Sequence, residues 1–274
     1  MSGRRLPMFQ TEARPALPDE PALLGLPSIL ARRGLEFPDQ DDLSPRVRAL
    51  LVAVKDALRA PPSGPVVFSL DELPPDERAA LWDMLGEGEV SIVVQGAARY
   101  EIEETSLPGV YRVRTRRDGT ESLHLEVGAV PAVVAAAAEH GTSREVPIED
   151  PPPPGLMNAQ PLLAELRHRV ATLDPAAPNH VVSLSLLPLN DADATYLSRA
   201  LGMGPIAAES RGYGTCRVAA TSRRAVWAVQ YFNAMDQLVL DTLEIGGVPA
   251  ALIAAPVDLE DSGTRLAALL EASS

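Results

Sequence analysis

Cysteine is almost missing from this sequence. Cys216 is the only one in 274 residues, so no disulfide closes within one chain, and the chain alone supplies neither an all-cysteine zinc site nor the ligands of an iron–sulfur cluster. Lysine is equally scarce: Lys55 stands alone among 24 basic residues. No G-x-x-x-x-G-K-S/T phosphate loop exists, and Schiff-base chemistry would fall to Lys55, which lies on a helical stretch opposite Val47, Leu51, Val54 and Leu58 and reads as solvated. No stretch approaches the ~20 apolar residues that cross a bilayer. Arg4-Arg5 is followed by Pro7, Gln10, Glu12 and Arg14 where the apolar segment of an export signal would begin. Positive charge is short as well, with 24 basic against 37 acidic residues, a net −13 and a pI near 4.8. Such a mean field repels phosphate and anionic lipid. These absences describe a cytoplasmic protein with no nucleic-acid partner and no membrane insertion.

What is present is a globular composition, 46% apolar and 22% charged, in a chain long enough to bury a core without staples. Its 26 prolines are unevenly placed. Residues 1–44 form a proline- and acid-rich arm without sustained periodicity, with one short helix expected near residues 27–33. Residues 149–157 include Pro151-Pro152-Pro153-Pro154, which favours a stiff polyproline linker. The segments on either side echo each other. Leu73-Pro74 matches Leu187-Pro188, Leu85-Gly86-Glu87-Gly88 matches Leu201-Gly202-Met203-Gly204, Thr105 matches Thr221, Tyr111 matches Trp227, and Glu126-Val127 matches Glu244-Ile245. The spacing drifts from 114 through 116 to 118 residues, as expected of a duplicated domain rather than a solenoid.

Each copy reads as a helix, a short strand (Val66 to Leu70, or Val181 to Leu186), a second helix capped by the first glycine of the Leu-Gly-x-Gly element, and several β-rich segments. The expected fold is α+β, a tandem duplication of a domain with helices packed on a mainly antiparallel sheet. Its units are 45–148 and 158–256, followed by a tail, 257–274, of helical character.

Chemistry is sparse. The Gly-x-Gly elements follow helices rather than strands, unlike a dinucleotide fingerprint. His124, His140, His168 and His180 show no metal-ligand spacing. Cys216 falls inside a strand pattern with nothing beside it to lower its pKa, and no G-x-S-x-G elbow occurs. Glu101 and Glu103 suit a solvated strand edge. Glu126 and Glu244 recur in both copies, either as exposed strand residues or as acids of an enzyme acting between the copies together with Cys216. No catalytic residue, cofactor or metal site is assigned.

One difference between the copies stands out. The strand from Val110 puts Arg112, Arg114 and Arg116 on one face, suited to recruiting an acidic partner or to keeping that face soluble. The second copy has Ala228, Gln230 and Phe232 at those positions. Either this neutral, partly aromatic face is a contact surface, or it packs inside the molecule.

The sequence resembles the HupH/HyaF family of nickel-iron hydrogenase expression/formation proteins. The resemblance rests on Met157-Asn158-Ala159-Gln160-Pro161-Leu162-Leu163-Ala164-Glu165-Leu166, on Gly212-Tyr213-Gly214-Thr215-Cys216-Arg217, on Trp227-Ala228-Val229-Gln230-Tyr231-Phe232-Asn233 and on Leu240-Asp241-Thr242-Leu243-Glu244-Ile245. It spans residues 45–256. It implies a non-enzymatic accessory chaperone in maturation of an uptake hydrogenase, binding the iron–sulfur small-subunit precursor and meeting other maturation proteins. The corresponding contact residues are Gly212, Tyr213, Gly214, Arg217, Gln230, Phe232 and Asn233, with Arg112, Arg114 and Arg116 as a secondary set. The competing readings are the enzyme above and a scaffold that joins maturation factors through the arginines.

Overall fold

The computed structural model describes residues 43–59, 64–140, 142–212 and 214–272. The helix expected near residues 27–33 lies outside them, as does Tyr213. The first described half runs α1 (Pro45–Arg59), β1 (Val66–Ser69), α2 (Pro75–Leu85), β2 (Val90–Gln95), β3 (Arg99–Glu104), β4 (Val110–Arg117), β5 (Thr120–Val127) and α3 (Ala132–His140). The second runs α4 (Ala159–Ala171), β6 (His180–Ser183), α5 (Asp191–Leu201), β7 (Met203–Ser210), β8 (Thr215–Thr221), β9 (Val226–Phe232), β10 (Leu238–Ile245) and α6 (Pro256–Ala272), with 3-10 turns at Leu184–Leu186 and Ala250–Leu252. The fold is α+β, and its strands join in one antiparallel sheet in the order β1-β5-β4-β3-β2-β7-β8-β9-β10-β6.

Helix α1 forms where expected because Val47, Leu51, Val54 and Leu58 recur on one buried face, and Ser44 Oγ accepts from Val47 N at 3.3 Å at its start. The Leu-Gly-x-Gly elements have the same role in both halves. Gly86 and Gly202 end α2 and α5 at φ +60° and +59°, a region that strongly favours glycine. A Cβ on Gly88 or Gly204 would stand 2.2 or 2.3 Å from the carbonyl oxygen of Thr105 or Thr221. Thr105 and Thr221 each fold their hydroxyl onto the backbone two residues on. Ser106 and Ser222 both tie the chain back to the preceding helix end, at Leu85 O and Leu201 O.

The halves meet edge to edge. In the β2–β7 register Ile92 pairs with Ala208, its own counterpart 116 residues on, so the strand order reads the same from either edge once counterparts are matched. Each half also lends its trailing segment to the other. α6 brings Leu259, Leu266 and Leu270 into the core built on α1, α2 and β5, while Val146 enters the core built on α4, α5 and β10. Both of these cores lie on one sheet face. A third, around Ile92, Tyr111, Val113, Val218, Trp227 and Val229, lies on the other face against Val134 of α3 and Leu252.

Two local expectations change. Residues 181–186 are not one strand: Leu184 turns into the second-half core, and Ser185 Oγ takes over the pairing by accepting from Asp241 N at 2.9 Å. The proline-rich stretch is tied down at both ends. Glu149 N donates to the Tyr196 hydroxyl at 2.8 Å, and Met157 N donates to Asp193 Oδ1 at 2.9 Å.

Candidate functional site

The neutral strand face of the second half is closed, which corrects the reading of it as an open surface. Gln230 is 0% exposed and Phe232 is buried; both share a strand face with Ala228, which belongs to the core built on α4 and α5. Arg217 lies over the Phe232 ring, 4.5 Å from its centroid, and pairs with Glu209 and Asp236 at 3.3 and 3.6 Å. Its charge is therefore matched within the molecule.

The arginine stripe is matched too. Arg112 pairs with Glu103 and stacks over Trp82 at 5.1 Å. Arg114 reaches Glu101 and Glu121 at 3.7 Å each, and Arg116 reaches the same two acids at 3.5 and 3.0 Å. Glu101 and Glu103 thus sit not on an edge but on β3, inside the sheet, as counter-charges to β4.

The acids expected on the surface are buried. Glu126 Oε1 accepts from Ala132 N at 2.5 Å, and Glu244 Oε2 accepts from Asn179 Nδ2 at 3.1 Å. They occupy β5 and β10, in opposite halves of the sheet. Cys216 is buried, and burial pushes its thiol up to about 11, with Glu244 adding to the rise against a hydrogen bond from Tyr231. A thiol held protonated is a poor nucleophile at neutral pH. No cluster of three or more metal-ligating side chains occurs among the described residues.

Glu104 is a buried acid that sequence reasoning passed over. Burial, helped by Glu89 and Asp258, raises it from 4.5 to about 7 against the hydrogen bond from Gly109 N. Its counterpart 116 residues on is Ala220, so the second half has no such group. Because the folded value lies above the unfolded one, the stability this group contributes is complete below about pH 4.5 and is lost as pH rises through about 7. Glu104→Gln should remove that slope and unfold in more urea than the parent at pH 8, by up to about 3 kcal/mol, with little difference near pH 4.5. Parallel slopes for both proteins across this range would refute the assignment.

One open part of the second half is an end of the sheet. Between β9 and β10, Asn233 Oδ1 accepts from Met235 N and Gln237 N at 2.9 and 3.0 Å, and its Nδ2 donates to Gln237 Oε1 at 3.0 Å. Asn233 therefore shapes a turn rather than offering a free amide, and the turn projects Met235, 76% exposed. Val239 is the residue passed over at the register shift between Leu238 and Leu240 and is 63% exposed. Leu186, in the 3-10 turn whose Ser185 holds Asp241, is 84% exposed. Tyr231 pairs with Leu240 at the same end and is partly exposed. Gly212 and Gly214 belong to the neighbouring β7–β8 turn, and Gly214 lies close to the Phe232 carbonyl.

This apolar rim was missed because each of its residues is unremarkable alone. The signal lay in the comparison of halves. At the repeat spacings, Leu186, Val239 and Tyr231 stand where the first half has Glu72, Glu121 and Thr115. A charged end has become an apolar one, so the change of character seen in the sequence is real but lies at the strand ends, not on the β9 face.

Known proteins resemble this chain over most of its length. The profile of a family described as HupH hydrogenase expression protein, C-terminal conserved region, matches residues 46–144 and again 156–273. The hydrogenase expression/formation protein HupH of Rhizobium leguminosarum bv. viciae is 40% identical over 83% of this chain and 82% of its own. HoxQ of Azotobacter vinelandii, of the same description, is 40% identical over 95% and 93%. The hydrogenase-1 operon protein HyaF of Escherichia coli (strain K12) is 38% identical over 81% and 80%. A solved structure, hydrogenase expression protein HupH from Thiobacillus denitrificans ATCC 25259, covers 42% of this chain and 95% of its own at 27% identity, with a TM-score of 0.36.

Proposed function

The chain belongs to the HupH hydrogenase expression protein family, and from that premise we propose that it is a non-catalytic maturation chaperone that holds the iron–sulfur small-subunit precursor of a nickel-iron hydrogenase. The observation that carries this reading is the rim of Leu186, Met235, Val239 and Tyr231. These large apolar side chains are held out to solvent at one end of the sheet, while the corresponding end of the first half is charged. Exposed apolar residues grouped at one place mark contact surfaces more often than scattered ones do.

The fate of the other candidates supports a binding role. Cys216 is buried and held protonated, and Glu126 and Glu244 are already engaged with backbone or amide donors in separate halves. The scaffold reading loses ground because Arg112, Arg114 and Arg116 are matched by Glu101, Glu103 and Glu121. Release of the client is then driven by competition, by filling of the client's own cluster, or by docking of the next subunit.

Co-purification from cells expressing the hydrogenase genes tests the reading. The small-subunit precursor should be the main retained polypeptide, identified by mass, with its iron content measured in the same sample. Retention of the large subunit instead would overturn the choice of partner.

A further inference from the structure

The rim adjoins a second feature, the free edge of the sheet. Among the described residues β6 pairs only with β10. The unpaired N–H and C=O groups of an edge strand are satisfied in kind only by another extended chain, and native sheets commonly block such edges with charge, proline or a covering element. Among the described residues no strand pairs on its outer side; Val181 and Val182 are neutral, Val181 is 54% exposed, and His180 is turned to Glu165 at 2.9 Å.

The opposite edge of the same sheet supplies the contrast. After β1, Asp71 Oδ1 accepts from Leu123 N at 2.9 Å, and Glu72 follows. After β6, Ser185 Oγ accepts from Asp241 N at the same distance, and Leu186 follows. Counterpart side chains perform the same bridging task, yet one edge ends in two acids and the other in a hydroxyl and a leucine. β1 itself is as neutral as β6, with Val67 57% exposed, so the difference lies in the acids that follow β1 and guard its end, where β6 is followed by none.

We infer that the β6 edge accepts a short, extended, uncharged and apolar segment of the client as an eleventh strand, which continues from Val181 past Leu186 onto Val239 and Met235. In this mode main-chain hydrogen bonds supply affinity and the alternate side chains supply selection. A second copy of this chain fits less well. Pairing through β6 would match four residues per side, far below the ~20–30 residues a side of a stable interface. The inference rests on the client-binding reading above and adds how the client is held.

Amide hydrogen exchange on the full-length protein, free and in complex with the small-subunit precursor, tests it. The amides of His180–Ser183 that point away from β10 should exchange at least tenfold more slowly in the complex, and Val181→Lys, at a position already open to solvent, should weaken retention about tenfold without moving the thermal midpoint. If the precursor is retained but β6 exchanges at its free rate, or Val181→Lys binds normally, edge addition is wrong and the client reading stands. If β6 is already protected in a free protein of dimeric mass, the occupant is a second copy and the inference fails. If no precursor is retained at all, both readings fall together.

Discussion

Exchanging Leu186 and Val239 together for aspartate should cost at least a hundredfold in retention of the precursor while leaving the thermal midpoint within a degree or two. Both side chains are largely exposed in the free protein, so folding loses little when they become polar. In a complex each would bury apolar surface worth about 1.5–3 kcal/mol, and every 1.4 kcal/mol is roughly tenfold in affinity. The matched control is in the same molecule: Glu72→Ala and Glu121→Ala alter the counterpart positions of the first half and should leave retention unchanged. Both double variants would be compared by quantitative pull-down and by thermal denaturation. Equal loss in the two halves would show that overall surface character, not the rim, governs binding.

The second large effect concerns stability. Asp193→Ala should lower the unfolding free energy by roughly 4 kcal/mol, since buried donors left without an acceptor cost about 1–3 kcal/mol apiece, less what water recovers. Asp193 is fully buried. Its Oδ1 accepts from Met157 N, Asn158 N and Ala159 N at 2.9, 3.1 and 3.0 Å, and its Oδ2 accepts from Asn190 N at 3.1 Å. Burial pushes this carboxyl up, but those backbone donors outweigh it and hold it below the ordinary aspartate value. The side chain therefore stays ionised while it fastens the end of the proline-rich stretch, the start of α4 and the capping box of α5. Asp193→Asn, which keeps a carbonyl acceptor, should cost about half as much. A loss below ~1 kcal/mol for the alanine variant in urea unfolding would mean that water or a shifted backbone replaces the carboxylate.

Asp193 also shows what the sequence did and did not disclose. The run Met157-Asn158-Ala159 signalled family membership, yet its residues wrap a carboxylate some 35 positions away, a contact that no local pattern records. The doubled element order was legible because local chemistry fixes it. Leu-Gly-x-Gly needs glycine at a left-handed helix end and at a close approach to backbone, and the threonine and serine that follow satisfy neighbouring backbone wherever they fall. Strand parity was legible for the same reason: Arg112, Arg114 and Arg116 do share one face.

Parity does not say which stretch of a face the helices cover. Gln230 looks like a solvent residue in the sequence and is 0% exposed in the fold. Nor does it separate a buried acid from an exposed one: Glu126 is buried because Ala132 N, at the start of α3, comes back over it. The joining of the halves through β2 and β7 was equally invisible, since short strands advertise no partner.

The reciprocal loan of trailing segments has a consequence for how the protein is made. The core around α1 includes Leu259, Leu266 and Leu270 from a helix encoded near the far end of the sequence, so the half synthesised first lacks a wall until the half synthesised last has been threaded back to it. Part of the first half's core is therefore supplied by α6. Removing α6 should unravel the amino-terminal half in preference to the one that carries it.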